Sequence, residues 1–227
     1  MSSLPIYALI VAGGKGTRMG TELPKQFLPL HHKEIILHTI LAFVNAQPNI
    51  KMIVVHPASH REHLLALLET AGLAAQVQLV IGGATRFDSV KNGLQAIPDT
   101  NGIVLIHDGV RPLVSAQLIH ACIAQAETKG SAIPAVGLVD SIRRIQGDTH
   151  TREDRAALVA IQTPQTFQIA LIKKAFDQNY QDAFTDDASV VEAMQLPIHL
   201  IAGERYNIKI TTPEDLILAE ALLPHVH

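Results

Sequence analysis

Apolar residues in this chain gather into short, β-branched runs at Ile6–Ala12, Met52–His56, Val77–Ile81, Ile103–His107, Ile133–Val139 and Ile198–Ile201. Between them lie longer segments whose apolar positions recur at helical spacing: Ile36–Asn45, Ser59–Gly72, Ser89–Ile97 and Ser115–Lys129. Strands separated by crossovers of helix length pair in parallel and carry helices on both faces. The pattern predicts an α/β, three-layer, Rossmann-like domain with a mostly parallel twisted sheet. Ligands in such sheets sit at the carboxyl ends of the strands, where strand order reverses, so the loops that follow strands are the ones to read. A last helix opens with Thr212 as N-cap and Pro213 in the first turn, followed by Glu214 and Asp215 beside the positive end of its dipole.

One stretch breaks the alternation. From Val139 to Thr163, two strand-like pieces flank a polar middle, and residues 147–154 carry no apolar side chain. A projecting β-hairpin arm is the simplest reading, and its apolar flanks predict packing on a second subunit; an ordinary surface loop is the other reading. The expected organisation is a single domain over 1–227, with 139–163 as a dimerisation arm.

Composition narrows the partners. The 227 residues are 48% hydrophobic and 17% charged with a net charge of −3, and no basic or acidic tract points to nucleic acid or to a membrane surface. An anionic substrate therefore has to be met by a local cluster of cations. The apolar run at the start has no cationic leader and is too short to span a bilayer. The single cysteine, Cys122, reads as a buried thiol, which agrees with a reducing, cytoplasmic setting. His60 and His63 on a helix, and His31-His32 in a loop, lack a third ligand at matching spacing, so a surface role outweighs a zinc site.

Chemistry enters at Val11-Ala-Gly-Gly-Lys-Gly-Thr-Arg-Met-Gly20, directly after the first strand. Glycines there allow backbone N–H groups to turn onto phosphate oxygens. A P-loop would need Lys-Ser or Lys-Thr after the glycines, and a dinucleotide fingerprint would need glycine at the place held by Met19. Both patterns fail. What is left is a glycine loop with Lys15, Arg18 and Lys25, the last in Pro24-Lys-Gln-Phe. Fixed cations of this kind stabilise charge that develops on a triphosphate as its bridging oxygen leaves; for Lys15 a solvated surface charge is an equal reading.

These motifs resemble the opening of the sugar-phosphate nucleotidyltransferases, and within them the 2-C-methyl-D-erythritol 4-phosphate cytidylyltransferase family of the non-mevalonate isoprenoid pathway. The likeness runs nearly the full length: Gly82-Gly83-Ala84-Thr85-Arg86-Phe87-Asp88-Ser89-Val90, His107-Asp108-Gly109-Val110-Arg111-Pro112, Thr163-Pro164-Gln165-Thr166-Phe167, Thr185-Asp186-Asp187-Ala188-Ser189 and Tyr206-Asn207-Ile208-Lys209-Ile210-Thr211 follow in the family's order. The resemblance implies a homodimeric, Mg²⁺-dependent enzyme. It transfers CMP from CTP to 2-C-methyl-D-erythritol 4-phosphate by in-line attack of the substrate phosphate on the α-phosphorus, releasing pyrophosphate. Arg18 and Lys25 then stabilise the transition state, Lys209 bridges the two phosphates, and Arg155, reaching over from a neighbouring subunit, positions the acceptor. Ala12, Gly13, Gly14, Gly16, Gly82, Gly83, Ser89 and Gly109 line the nucleotide; Asp108, Arg111, Ser141, Thr163 and Thr185 meet the substrate. The metal is held mainly by CTP phosphates, with Asp108 as the candidate protein ligand.

The residues keep their plainer readings. Gly82-Gly83 reads as a turn as well as a base platform, and Ser89 or Asp108 as a helix cap; Arg155 fits a surface salt bridge. A phosphate monoester is already ionised at neutral pH, so no general base is required. The chain departs from the family at Gly109-Val110, where HDAARP is usual, which predicts a reshaped floor under the ribose. Its Ala12-Gly13-Gly14 opening is shared with ribitol 5-phosphate cytidylyltransferases, the alternative substrate class. A non-catalytic nucleotide-binding module is the alternative of another kind, and the transition-state cations argue against it.

Overall fold

The computed structural model describes residues 4–13 and 23–226. In chain order the elements are β1 (Ile6–Val11), β2 (Pro29–Leu30), β3 (Lys33–Glu34), α1 (Ile35–Ala46), β4 (Lys51–His56), α2 (Arg61–Thr70), β5 (Val77–Ile81), α3 (Arg86–Gln95), β6 (Ile103–Asp108), α4 (Ala116–Lys129) and β7 (Ser131–Gly137). There follow β8 (Ile142–Gln146), β9 (Thr149–Glu153), β10 (Val159–Ile161), β11 (Gln165–Gln168), α5 (Ile169–Phe176), α6 (Asp187–Glu192), β12 (Leu200–Ala202) and α7 (Pro213–Leu222).

Hydrogen bonding links the main sheet in the order β5, β4, β1, β6, β11, β7, and both β10 and β12 also pair with β7. β1 runs parallel to β4 and β6, and β4 parallel to β5, while β11 is antiparallel to both of its neighbours. From β1 the chain moves outward to β4 and β5, then returns past β1 to β6. Strand order thus reverses between β4 and β6, and the crevice opens over the carboxyl ends of β1 and β6.

The period-2 geometry of the strands sorts the core into two layers. Ala8, Ile10, Met52, Val54 and Leu105 pack under α1, α2 and α4. Leu9, Ile53, Val55, Val104 and Ile106 pack under α3, α5 and α6. That is why the strands read as unbroken apolar runs: both faces are covered. A third, smaller cluster joins Leu30, Ile35, Val110, Leu113 and Ile210 to Ala219 of α7. It anchors the loop after β6 to the segment that carries Lys209.

Several boundaries differ from expectation. α3 starts at Arg86 because Thr85 caps it in a reciprocal box with Asp88. β7 begins at Ser131, whose buried hydroxyl accepts the His199 N–H at 3.0 Å. β10 is the second of the two strand-like pieces in 139–163, whereas β9, in the polar middle, and β11, α5 and α6 have no counterpart in the apolar pattern. The segment 139–163 also divides in two. β8 and β9 form their own two-stranded sheet, with a tight turn at Gly147 (φ 58°) that favours glycine. β10, by contrast, returns to pair with β7 in the main sheet.

Gly93 shows how closely α3 lies on the sheet. A Cβ there would stand 2.5 Å from Cδ1 of Leu9 and 2.9 Å from Cγ2 of Val55. Glycine-to-alanine changes inside helices ordinarily stabilise by about 1 kcal/mol, whereas overpacking costs about 1–3 kcal/mol. Gly93→Ala is therefore expected to lower unfolding stability by about 1 kcal/mol net in urea titrations; a gain would show that α3 can lift off the sheet without penalty.

Candidate active site at the ends of the central strands

β6 ends in His107 and Asp108, and Asp108 is the charge around which the crevice is arranged. Its Oδ2 lies 3.2 Å from Nε of Arg111 and 3.0 Å from Nζ of Lys209, and its Oδ1 is 3.9 Å from Nε of Arg86. Burial by itself would raise this carboxyl; the Lys209, Arg86 and Arg111 charges more than offset it and hold the group well below the usual carboxylate range. Asp108 caps no helix, since α4 is capped by Ser115.

The partners of Asp108 are themselves held. Arg111 donates through Nη1 to the carbonyl of Asn207 at 2.9 Å. Asn207 is fully buried and donates through Nδ2 to the carbonyl of Thr163 at 2.7 Å. The Thr163 hydroxyl accepts the N–H of Asp108 at 3.1 Å and lies 3.0 Å from Nδ1 of His107, whose Nε2 is 3.0 Å from the Arg111 carbonyl. A carbonyl can only accept, so Nε2 carries the proton and Nδ1 accepts from Thr163. Burial pushes this imidazole down to about 4. His107 is thus a neutral strut behind Asp108, with both nitrogens committed.

Lys25 approaches from the turn Pro24–Phe27. Its Nζ donates to the carbonyl of Ile210 at 2.9 Å, beside Lys209, and Gln26 donates to the carbonyl of Ala12 at 2.7 Å. The turn rests on Phe27, which is stacked with His60 (centroids 5.3 Å) and meets His63 edge-on at 4.8 Å. The two histidines therefore support the lysine-bearing turn.

The other half of the crevice is built from glycines around Ser89. Its Oγ accepts the N–H of Gly83 at 3.1 Å and donates to the Thr85 carbonyl at 2.9 Å. A Cβ on Gly82 would stand 2.9 Å from that oxygen, one on Gly13 3.5 Å, and one on Gly83 2.2 Å from Cβ of Asp88. Thr85, rather than Ser89, is the cap of α3. Gly109 donates to the carbonyl of Val11 at 2.9 Å. A Cβ at Gly109 would be 2.9 Å from Cδ1 of Ile36, so Ile36 fills the space that the family's alanine would take.

The folded chain thus brings together Ala12, Gly13, Lys25, Gly82, Gly83, Ser89, Asp108, Gly109, Arg111, Thr163 and Lys209. Gly14, Lys15, Gly16 and Arg18 lie outside the described residues. Thr185 is exposed just before α6. Ser141 is exposed at the base of the arm, and the Arg155 guanidinium donates to the Val139 carbonyl. Among the described residues, no hydrogen bond or ion pair joins Ser141 or Arg155 to the Asp108 cluster. Arg86, Gln165, Asp187 and Asn207 were missed as site residues, although each falls inside a motif already singled out. Their role depends on pairings across about a hundred residues of chain, as between Arg86 and Asp187.

Comparison with known proteins gives a consistent picture. The family model for 2-C-methyl-D-erythritol 4-phosphate cytidylyltransferase matches residues 6–225. The protein of that name from Phocaeicola vulgatus is 45% identical over 217 residues, covering 96% of this chain and 99% of the relative. The one from Porphyromonas gingivalis is 45% identical over 219 residues, covering 96% and 97%. Among solved structures, the 4-diphosphocytidyl-2C-methyl-D-erythritol synthase of Anaerococcus prevotii superposes with a TM-score of 0.82 at 28% identity, covering 97% and 96% of the two chains. The 2-C-methyl-D-erythritol 4-phosphate cytidylyltransferase of Thermus thermophilus does so with a TM-score of 0.76 at 30% identity, covering 95% and 98%. The fold is the α/β nucleotidyltransferase fold of these neighbours.

His107 makes the acid stability of the site testable. An unfolded histidine takes up its proton near 6.5, but the native one does so only near 4. As pH falls between these values the unfolded state binds the proton the native state refuses, and stability drops. Between pH 7 and 4.5 the parent is expected to lose about 2 kcal/mol more unfolding free energy than His107→Gln. Parallel pH profiles for the two proteins in urea titrations would contradict the neutral-strut assignment.

Proposed function

The chain belongs to the 2-C-methyl-D-erythritol 4-phosphate cytidylyltransferase family, and we propose that it carries out the reaction of that name: CMP passes from CTP to 2-C-methyl-D-erythritol 4-phosphate, giving 4-diphosphocytidyl-2-C-methyl-D-erythritol and pyrophosphate. The observation that carries this reading is the convergence of Arg111 and Lys209 on Asp108, with Lys25 on the carbonyl of Ile210 next to Lys209, beside the glycines at Ser89. One half offers backbone and a hydroxyl to a flat base. The other offers cations to phosphates.

In this reading the acceptor phosphate attacks the α-phosphorus in line, and the bond to the bridging oxygen breaks as pyrophosphate leaves. Arg18 and Lys25 neutralise the charge on the α-phosphate and the leaving group. Lys209 exchanges Asp108 for the incoming phosphate and holds it against the α-phosphate. Arg111 and Asp108 orient the acceptor, with Thr163 fixing the backbone of Asp108; Thr185 and Ser141 are further contacts. His107 is neutral and fully committed, and the monoester is already ionised, so no proton has to be removed. A magnesium ion fits this donor set in one way. Oδ2 of Asp108 is occupied by Arg111 and Lys209 and Oδ1 faces Arg86, so Asp108 would offer a cation at most Oδ1, and triphosphate oxygens and water would hold it otherwise. Bound there, it would neutralise phosphate charge.

The working unit is a homodimer. The arm and its flanks expose Val139, Ile145, Val159 and Ile161, an apolar set that a second copy would cover, and Arg155 then reaches the neighbouring site. Among the described residues no helix is long and apolar enough to cross a membrane. The buried free thiol of Cys122 supports a cytoplasmic setting.

With CTP and magnesium, the purified protein is expected to release pyrophosphate with 2-C-methyl-D-erythritol 4-phosphate in preference to ribitol 5-phosphate; turnover of ribitol 5-phosphate alone would reverse the choice of acceptor. Lys25→Ala and Lys209→Ala are each expected to lower kcat by about 10²–10³ while CTP still binds; full activity in either would remove that residue from the mechanism. If Arg155 acts across subunits, mixing unfolded and refolded Arg155→Ala with Lys209→Ala restores about a quarter of parental activity, because half the dimers are mixed and each mixed dimer has one intact site. No recovery would place Arg155 in its own subunit's site.

A further inference from the structure

Arg86 is the one described side chain that touches both halves of the crevice and yet has no part in the reaction set out above. It is the first residue of α3, immediately after the loop with Gly82 and Gly83. Its Nη1 and Nη2 donate to the two carboxylate oxygens of Asp187 at 2.8 and 2.7 Å, and its Nε faces Oδ1 of Asp108 at 3.9 Å. Asp187 is fully buried. Burial pushes that carboxyl up, and Arg86 is the counter-charge that pulls it back. A planar guanidinium can grip one carboxylate with two nitrogens and still present the third edge to another; an ammonium cannot.

The segment that Arg86 grips is the one with Thr185. A second hook holds the same segment: Gln165 donates to the Asp186 carboxylate at 2.8 Å and accepts the N–H of Ala188 at 2.8 Å. Gln165 ties this loop to the strand beside β6, and Arg86 ties it to the nucleotide half. Meanwhile Oδ2 of Asp108 is taken by Arg111 and Lys209, so Oδ1 is the oxygen left to meet the acceptor or the cation that accompanies the triphosphate. Arg86 stands directly across from it.

We propose that Arg86 is a positioning residue for the acceptor: by clamping Asp187 and facing Oδ1 of Asp108, it holds the Thr185 loop in place relative to the Asp108 carboxylate, where the polyol phosphate is seated. This rests on the reaction proposed above. It adds the statement that a residue of the nucleotide-side helix governs acceptor binding more than nucleotide binding. Removing Arg86 alone leaves Asp187 buried and unpaired, which destabilises the fold and confuses the outcome. The informative variant is therefore Arg86→Gln combined with Asp187→Asn, in which neither charge remains.

The experiment measures melting temperature and steady-state kinetics for the parent, Arg86→Gln, Asp187→Asn and the double variant, with CTP and 2-C-methyl-D-erythritol 4-phosphate varied separately. Arg86→Gln is expected to melt lower than the parent, and the double variant to regain most of the loss. In the double variant the acceptor KM rises at least about tenfold, while the CTP KM stays within about twofold of the parent. Recovery of both melting temperature and acceptor KM would reduce Arg86 to a structural ion pair and overturn the proposal. An equal rise in both KM values would assign it to the nucleotide instead and overturn it as well. Should the double variant fail to fold, Arg86→Lys supplies the same reading, since it keeps a charge for Asp187 but cannot also face Asp108; an unchanged acceptor KM there overturns the proposal. Absence of turnover in the parent would overturn the reaction itself, and this assignment with it, which separates the two failures.

Discussion

A carboxylate at the end of a buried strand cannot be ionised without company. Asp108 terminates β6, a strand buried over its whole length, and transfer of a lone carboxylate into such a place costs several kcal/mol. The chain meets this cost with three cations drawn from distant segments: Arg86 from the start of α3, Arg111 from the turn after β6, and Lys209 from the strand-like stretch before α7. The requirement to neutralise one oxygen pair therefore fixes where three segments must meet. Arg86 is matched by Asp187 as well, so Arg111 and Lys209 together exceed the charge of Asp108 and favour an anionic ligand.

The three cations are not equally tethered. Arg86 is locked by the buried Asp187, and Arg111 is shared with the Asn207 carbonyl. Lys209 is 40% exposed and has its ammonium on Asp108. A strongly hydrated point charge on a flexible stem can move between a carboxylate and a phosphate with little rearrangement, whereas the two planar forks are committed by geometry. The division suits a site in which some charges shape the pocket and one follows the substrate. Lys25 is different again: it is 8% exposed and set on a backbone carbonyl, so its ammonium is already largely desolvated.

Much of this could be read from the sequence because the strands were unambiguous. β1, β4 and β6 appear as continuous apolar runs buried on both faces, while the run at β5 marks an edge strand that exposes Gln78 and Ile81. The parts that stayed hidden are those whose conformation is imposed from outside. β11, Gln165-Thr-Phe-Gln168, has neither alternation nor a long apolar run; it is a strand because it is inserted between β6 and β7. The start of α3 was legible in principle, since Thr85 and Asp88 have capping-box spacing, but the apolar period begins later and masked it. For the site, Lys25, Asp108, Arg111 and Lys209 could be found from motif and strand position. Arg86 and Asp187 could not be paired, because nothing local in either segment reports a partner 101 residues away. Gly109 is a case of the opposite kind: the sequence predicted an altered ribose floor, but the missing methyl is replaced by Ile36 from α1, a compensation visible only in packing.

Neutrality of His107 bears on the kind of chemistry this crevice can support. An imidazole beside a carboxylate, at the end of a central strand, has the look of an acid–base pair. Yet its Nδ1 already accepts from Thr163, its Nε2 already donates to the Arg111 carbonyl, and burial, which lowers its pKa to about 4, holds it in the neutral form at neutral pH. It can neither collect a proton from a substrate nor deliver one without breaking the bonds that keep Asp108 and Arg111 in place. Reactions that need a hydroxyl deprotonated are thereby disfavoured at this carboxylate. A nucleophile that arrives already ionised needs only alignment and charge neutralisation, and these are what the surrounding cations supply. The buried histidine thus narrows the chemistry in the same direction as the cations do, toward attack by a phosphate oxygen.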